Sequence, residues 1–464
     1  MTVAERILVV GADAAGMSAA HQALRTARTL GRAVEVVVLE RTQDTSYSAC
    51  GIPYLVSGLV DSPDELSART PEKHRAMGVD LRLGATAVEL DMQGRVVVAE
   101  TGTGAREPFE FDKLVLATGA EPLIPAWARD ADGRMYRGIK AVKTLEDARY
   151  WLEVLEVSPR PHLRRGLVVG GGYIGLEMAE ALRERGYECT LVTRSRVMSS
   201  MDPVMSERIE SALGQAGVQV LTDTVVDGIT VADDGTKRVR MSGGEEIDVD
   251  LIMLGLGVTP ASALGADAGL AVGEHGGYLT DEHQRLAENV WAAGDCCEVY
   301  DRMRGKNAFL PLGTHANKQG RICGFNVMGE SRKFNGALGT AITRFSVGDT
   351  HVEIARTGLS MGQAVEVGYD PEGLVTEGGT ASGYMAERAP IMTNVIADRG
   401  SRSLLGVQIV GGRGAGKRID TAAAALWGEM SVDHLAEMDL SYAPPFATVW
   451  EAIQLSARRL ADRL

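Results

Sequence analysis

One cysteine in this chain stands in a setting suited to redox chemistry. Cys50 lies in Ser46-Tyr-Ser-Ala-Cys-Gly-Ile-Pro-Tyr54, shortly after an apolar run, Val34–Leu39, that ends at Glu40. At a helix start, local N–H groups, together with the electron-poor ring of a flavin nearby, are expected to lower a thiol's pKa, and only the thiolate attacks a sulfur–sulfur bond. No second cysteine lies within a few residues, so a local dithiol pair is excluded. A one-cysteine cycle needs a mixed disulfide, a sulfenate or a persulfide on that sulfur. Cys189, Cys296, Cys297 and Cys323 read as core packing.

Two glycine-rich turns carry a second chemistry. The first holds Gly11, Ala14, Ala15 and Gly16; the second holds Gly170, Gly172, Tyr173, Ile174 and Gly175. Glycine lets backbone approach a diphosphate, and the following helix start offers oriented N–H groups. Asp13 occupies the middle position that Gly172 holds in the second turn. An acid there repels a diphosphate unless it points away or caps the helix. Glu40, followed by Arg41, is placed to bind ribose hydroxyls. The matching position in the second unit reads Thr193-Arg194-Ser195-Arg196, with no acid. A guanidinium suits a 2′-phosphate, so NADPH is expected to serve at least as well as NADH. Two such sites suggest an electron relay between one bound flavin and one exchangeable nicotinamide. Asp295, after Gly294 at a strand end, is placed to accept hydrogen bonds from a ribityl chain.

The elements that must position these residues repeat. Arg6–Ala20 and Gly166–Glu180 each read as buried strand, glycine turn and small-residue helix, and each is followed by another strand. Leu114–Pro122 has a near-copy in Leu251–Pro260, and Val290–Asp295 is a third related strand. The expected fold is α/β, with two Rossmann-like dinucleotide-binding domains, one inserted in the other, and a C-terminal α+β domain. The expected boundaries are 1–120 with 255–330 for the flavin, 121–254 for the nicotinamide, and 331–464 for the last domain. That last part reads as alternating strands with two helical stretches, and Arg413–Arg418 as a solvated loop.

A chain of 464 residues is too long for one core. A net charge of −14 disfavours nucleic acid as a partner. No apolar run approaches the ~18 residues of a membrane span, so no membrane is expected. The N-terminus has no signal-peptide shape, and five scattered cysteines form no disulfide framework, which points to a reducing cytoplasm. No His/Cys/Glu set has metal-site spacing.

Over essentially its whole length the sequence resembles the single-cysteine branch of the pyridine nucleotide–disulfide oxidoreductases. That branch includes coenzyme A disulfide reductases, NADH oxidases and peroxidases, and persulfide reductases. The shared motifs are the Cys50 segment, Ala117-Thr-Gly-Ala120, Gly170–Glu177, Ala292-Ala-Gly-Asp-Cys296, Pro311-Leu-Gly-Thr-His-Ala-Asn-Lys-Gln-Gly320 and Ser441-Tyr-Ala-Pro-Pro-Phe446. The resemblance implies FAD in the first site and NAD(P)H in the second. It implies that Arg41, Ser48, Thr118, Gly119, Gly313, Thr314 and Ala316 belong to the FAD site. Cys50 would be the redox cysteine, Tyr173 a gate over the flavin, and Glu177 a neighbour of the hydride-transfer site. The last domain would form a homodimer, with Tyr442 reaching Cys50 of the partner subunit as a phenolic proton donor or hydrogen-bond partner.

The implied substrate is a low-molecular-weight disulfide or persulfide, coenzyme A disulfide first among them. Oxidase or peroxidase chemistry through a sulfenate at Cys50 fits the same motifs. So does an electron-transfer reductase for a small redox protein. Three departures bear on coenzyme A: Ala49 replaces a frequent Asn, the first helix is less basic, and a paired-tyrosine segment is reduced to Gly383-Tyr384-Met385-Ala386.

Overall fold

The computed structural model describes residues 4–156 and 164–464. A six-stranded sheet runs in the order Arg285–Ala287, Val290–Ala292, Lys113–Leu116, Glu5–Val10, Val34–Glu40, Val79–Leu83. The four strands from Lys113–Leu116 to Val79–Leu83 are mutually parallel, and Val290–Ala292 joins them in parallel. These strands are apolar on both sides because both faces are covered. One face takes the helices Ala14–Leu30 and Gly313–Asn326, and the other lies against a three-stranded antiparallel sheet spanning Ala85–Glu110. The two helices touch backbone to backbone. A Cβ on Gly320 would fall 2.1 Å from the Ala15 carbonyl oxygen, and one on Gly324 2.5 Å from that of Ala19.

The chain then crosses through Ala120–Pro122, builds a second sheet, and returns through the antiparallel partner Val258–Pro260. The second sheet is wholly parallel, in the order Val218–Leu221, Glu188–Val192, Arg165–Val169, Leu251–Leu254, Ile139–Ala141. Two Rossmann-like units, one inserted in the other, therefore account for the duplication read from the sequence.

The last part is a five-stranded antiparallel sheet between Ala341 and Gly411. One face packs the helices Ile419–Trp427, Val432–Glu437 and Ala452–Ala461. The other face contributes Phe345, Val352, Ile354 and Val410 to a core shared with the second sheet's helices. The two helical stretches expected here become four helices. Met361–Glu366 and Val432–Glu437 are six residues each, too short to show a period, and each starts at a capping box, on Ser360 and Ser431. No helix among the described residues is long and apolar enough to cross a membrane.

Candidate functional site

The two glycine turns divide their glycines between packing and approach. Gly11 has φ +107, and a Cβ there would sit 2.1 Å from the Ala117 carbonyl oxygen. A Cβ on Gly16 would meet the Gly11 oxygen at 1.9 Å. Gly170 (φ +118) and Gly175 repeat this against Gly255 and Gly170. These four let strand, turn and helix meet. Gly172, Gly119 and Gly313 have nothing within 4 Å of an added Cβ, so their backbones face open space.

That space is a single cleft of about 2080 Å³. Gly11, Ala14, Ala15, Glu40, Arg41, Ser48, Thr118, Gly119, Asp295, Gly313, Thr314 and Ala316 line it from the first unit. Gly172, Tyr173, Ile174 and Glu177 line it from the second, and Cys50 lies between them. Gly16, Gly170 and Gly175 stand behind its wall. Glu40 closes the first turn: one carboxylate oxygen accepts the Ala12 N–H at 2.9 Å, the other the Thr42 N–H at 2.9 Å. Arg41 is paired with Glu121 at 2.9 Å. Arg194 is exposed beyond the end of its strand, and Tyr442 is exposed on the C-terminal segment; neither lines this cleft.

Cys50 sits in one short turn, Ala49–Gly51, that leads into the helix Ile52–Ser57. Its thiol opens to the cleft, yet its pKa is raised, first by desolvation and then by the Glu177 carboxylate. The lowering expected from a helix start does not occur in the protein alone. A three-residue turn before a six-residue helix offers too little field to outweigh burial and the Glu177 charge. Lys143 opposes the rise. It stands between the strand Ile139–Ala141 and the helix Leu145–Glu156, with Nζ 3.2 Å from the Asp295 carboxylate. Sequence reasoning missed it, although a cation just past the C-terminal end of a parallel strand is a usable signal.

Glu177 is pushed up to about 7 by burial, while the Thr343 hydroxyl, donating at 2.8 Å, holds it back. Burial likewise raises the Tyr173 phenol. His315 lines the cleft with Nδ1 3.2 Å from the Leu310 carbonyl oxygen. All five cysteines are free; Cys189, Cys296, Cys297 and Cys323 are buried, and the Cys296 and Cys297 sulfurs are 3.9 Å apart. No group of three or more His, Cys, Asp or Glu side chains among the described residues has the arrangement of a metal site.

The Arg413–Arg418 run departs from expectation at its end. Arg418 is not solvated: it donates to Glu451 at 2.6 Å and to the carbonyl oxygens of Thr380 and Phe446 at 2.7 Å. It thereby fastens the segment that exposes Tyr442, Phe446, Val449 and Trp450.

Residues 5–320 match the pyridine nucleotide-disulphide oxidoreductase family, and residues 345–453 match its dimerisation domain. The chain belongs to this family. It is 35% identical over 462 residues to the NAD(P)H coenzyme A polysulfide/persulfide reductase of Pyrococcus horikoshii, covering 98% of each chain. It is 31% identical to the NADH oxidase of Methanocaldococcus jannaschii, covering 99% of each. Among solved structures it resembles a NAD-dependent persulfide reductase from A. fulgidus, with a TM-score of 0.90 and 31% identity over 99% of this chain and 83% of that one. It also resembles the water-forming NADH oxidase of Lactobacillus brevis bound to NADH, with a TM-score of 0.90 and 26% identity over 99% of both chains. The protein is an FAD-dependent NAD(P)H oxidoreductase. Its own residues fit both cofactors: the open Gly119, Gly172 and Gly313 backbones and the Glu40-braced turn leave room for dinucleotides on the cleft walls.

Proposed function

We propose that the protein reduces a low-molecular-weight disulfide or persulfide through Cys50, with coenzyme A disulfide or coenzyme A persulfide as the leading substrate class. The observation that carries this reading is one cleft that brings Cys50 and Glu177 together with both glycine turns. Residues 1–120 with 255–330 would hold FAD, and 121–254 NAD(P)H, with Arg194 on the 2′-phosphate side. FAD, when bound, relays two electrons from the nicotinamide to sulfur.

Cys50, as the thiolate, attacks one sulfur of the substrate. A Cys50–substrate disulfide forms, the original sulfur–sulfur bond breaks, and the other half leaves as a thiolate or, from a persulfide, as hydrosulfide. Two electrons from NAD(P)H then break the Cys50–substrate sulfur–sulfur bond, which restores the Cys50 thiolate and releases the remaining half as a second thiolate that picks up a proton. Because burial and Glu177 raise the thiol in the protein alone, Lys143 is the residue that favours the thiolate. Tyr173 covers the nicotinamide face until the nucleotide enters. Residues 331–464 form a homodimer in which Tyr442 of one subunit completes the cleft of the other. The exposed Tyr442, Phe446 and Val449 support that pairing. Five free thiols suit a reducing cytoplasm.

The test is anaerobic NADPH oxidation with coenzyme A disulfide and with coenzyme A persulfide, for wild type beside Cys50→Ser. Turnover lost in the variant while FAD stays bound supports the reading; equal turnover refutes it. Relatives named NADH oxidase favour a second reading, sulfenate cycling at Cys50 with oxygen as acceptor. Stoichiometric oxygen uptake without any sulfur substrate would select it.

A further inference from the structure

The second Rossmann-like unit meets the last domain at a polar joint set inside an apolar contact. On the five-stranded sheet Arg356 lies opposite Gln408, and Gln408 opposite Asn394. The three form one row across three adjacent strands, and all three are buried. Residues two apart along a strand share a face. The row therefore lies on the face that presents Val352, Ile354 and Val410 to the second sheet's helices. A cation and two amides in such a place cost stability unless they find partners.

Those partners come from residues 193–202, which run from the strand Glu188–Val192 to the helix Pro203–Gln215 and carry Arg194 and Arg196 on the surface. Asp202 is the N-cap residue of that helix, where a carboxylate ordinarily accepts an N–H from its own first turn. Among the described residues its side chain makes no such bond. One carboxylate oxygen instead accepts Nδ2 of Asn394 at 2.9 Å and Nε2 of Gln408 at 2.8 Å, and the other accepts the Met361 N–H at 3.1 Å. The Asp202 N–H donates to Oε1 of Gln408 at 2.9 Å. Arg356 donates to the Ser200 carbonyl oxygen, and its other terminal nitrogen donates to Gln363 at 2.9 Å. The middle of the segment rests on the second glycine turn. The Met198 N–H donates to the Gly171 carbonyl oxygen at 2.7 Å, and a Cβ on Gly171 would stand 3.2 Å from the Val197 Cα. Met198 holds φ +49, a conformation that needs outside support in a residue other than glycine.

We propose that Asp202 is a positioning residue for the nicotinamide nucleotide. The row of Arg356, Gln408 and Asn394 grips it, and it fixes the far end of the segment whose near end presents Arg194 and Arg196 beside the glycine turn. The last domain thereby shapes the nucleotide site. The proposal rests on the reading of residues 121–254 as the NAD(P)H unit, with Arg194 on the 2′-phosphate side. Without the anchor, the segment is in place in only a fraction of the molecules, and apparent affinity falls by that fraction.

The experiment is equilibrium binding of NADP+ and of NAD+ to the FAD-loaded protein, well below its melting temperature, with a melting curve beside it. The variants are Asp202→Asn, Gln408→Met and Arg194→Ala. Asp202→Asn keeps the shape and removes the charge and one acceptor. Gln408→Met keeps the side-chain length and removes both bonds from the other side, so the joint is tested even if one variant fails to fold. A hydrogen bond to a charged group supports a shift of about tenfold. The dissociation constant for NADP+ is expected to rise about tenfold in both joint variants, and that for NAD+ by about twofold at most. A residue that merely stabilises the fold would lower the melting midpoint and leave both constants unchanged, and that result would overturn the proposal. Equal weakening of the two nucleotides would also overturn it, because it would place the effect at the diphosphate turn. Arg194→Ala separates the proposal from the reading beneath it. If that variant weakens NADP+ and the joint variants do not, the proposal fails alone. If Arg194→Ala changes nothing, the 2′-phosphate reading fails and takes the proposal with it.

Discussion

Two glycines three residues apart in the second turn carry opposite predictions. A Cβ on Gly175 would fall 1.8 Å from the Gly170 carbonyl oxygen, far inside van der Waals contact. Gly170 cannot yield easily, because its N–H is held by the Val192 carbonyl at 2.8 Å. Overpacking of this kind costs about 1–3 kcal/mol or more, so Gly175→Ala should melt well below wild type. Gly172 has φ −86, which alanine adopts without strain, and an added Cβ meets nothing within 4 Å. Gly172→Ala should therefore melt within about 2 °C of wild type. Its methyl group would nevertheless stand where a diphosphate must approach. Losing one charge-assisted hydrogen bond, at about 1.5–3 kcal/mol, raises the Michaelis constant for NAD(P)H about tenfold or more. kcat at saturation should change little, because the lost contact is shared by ground and transition states. Steady-state oxidation of NADPH and NADH with an artificial acceptor, beside a melting curve and an FAD assay, separates the two effects. An unchanged Michaelis constant in Gly172→Ala would refute the assignment of this turn to the nicotinamide cofactor. A Gly175→Ala protein that melts with wild type would refute the packing argument.

Arg194→Ala should raise the Michaelis constant for NADPH and leave that for NADH unchanged; equal effects on both would remove the 2′-phosphate role. Glu177→Gln should leave the melting midpoint nearly unchanged at pH 4 and raise it at pH 8. The acid's pKa of about 7 in the fold, against an ordinary 4.5, means that the native state holds the proton more tightly. Stability is thus lost as pH rises through that window, by at most about 3 kcal/mol at 1.36 kcal/mol per pH unit. Thr343→Val should move the window further up, since it removes the hydroxyl that favours the carboxylate. Arg418→Met should loosen the Tyr442–Trp450 segment, because it leaves the buried Glu451 without its cation. Faster proteolysis there, and a dimer that dissociates more readily in sedimentation, are the expected readings.

How much of this was legible in the sequence follows from how far each feature reaches along the chain. The strand–turn–helix units are local: an apolar run, glycines at fixed spacing and small residues on the next helix lie within about 15 residues, so pattern and conformation agree. Cys50 was legible for the same reason, because its motif is contiguous. Lys143 meets Asp295 across 152 residues, and Thr343 meets Glu177 across 166. No window along the chain contains either pair. Arg418 looked solvated because its neighbours in sequence are Gly414–Lys417, whereas its partners Glu451, Thr380 and Phe446 arrive from elsewhere in the fold.

In the protein alone the sign of the Cys50 shift differs from the local reading for the same physical reason. A local reading counts the N–H groups of one turn, which favour the thiolate. The fold adds desolvation and the carboxylates of Glu177, Asp295 and Asp13, which disfavour it, against the single opposing charge of Lys143. Three acids and one lysine around a thiol do not make a reactive cysteine by themselves. They disfavour its charged form in the protein alone, so a cofactor that fills the cleft is expected to supply the offsetting stabilisation. If so, thiol alkylation of Cys50 should be slow at pH 7 in flavin-free protein and faster once FAD is restored. Equal rates in the two forms would mean that the protein alone activates the sulfur.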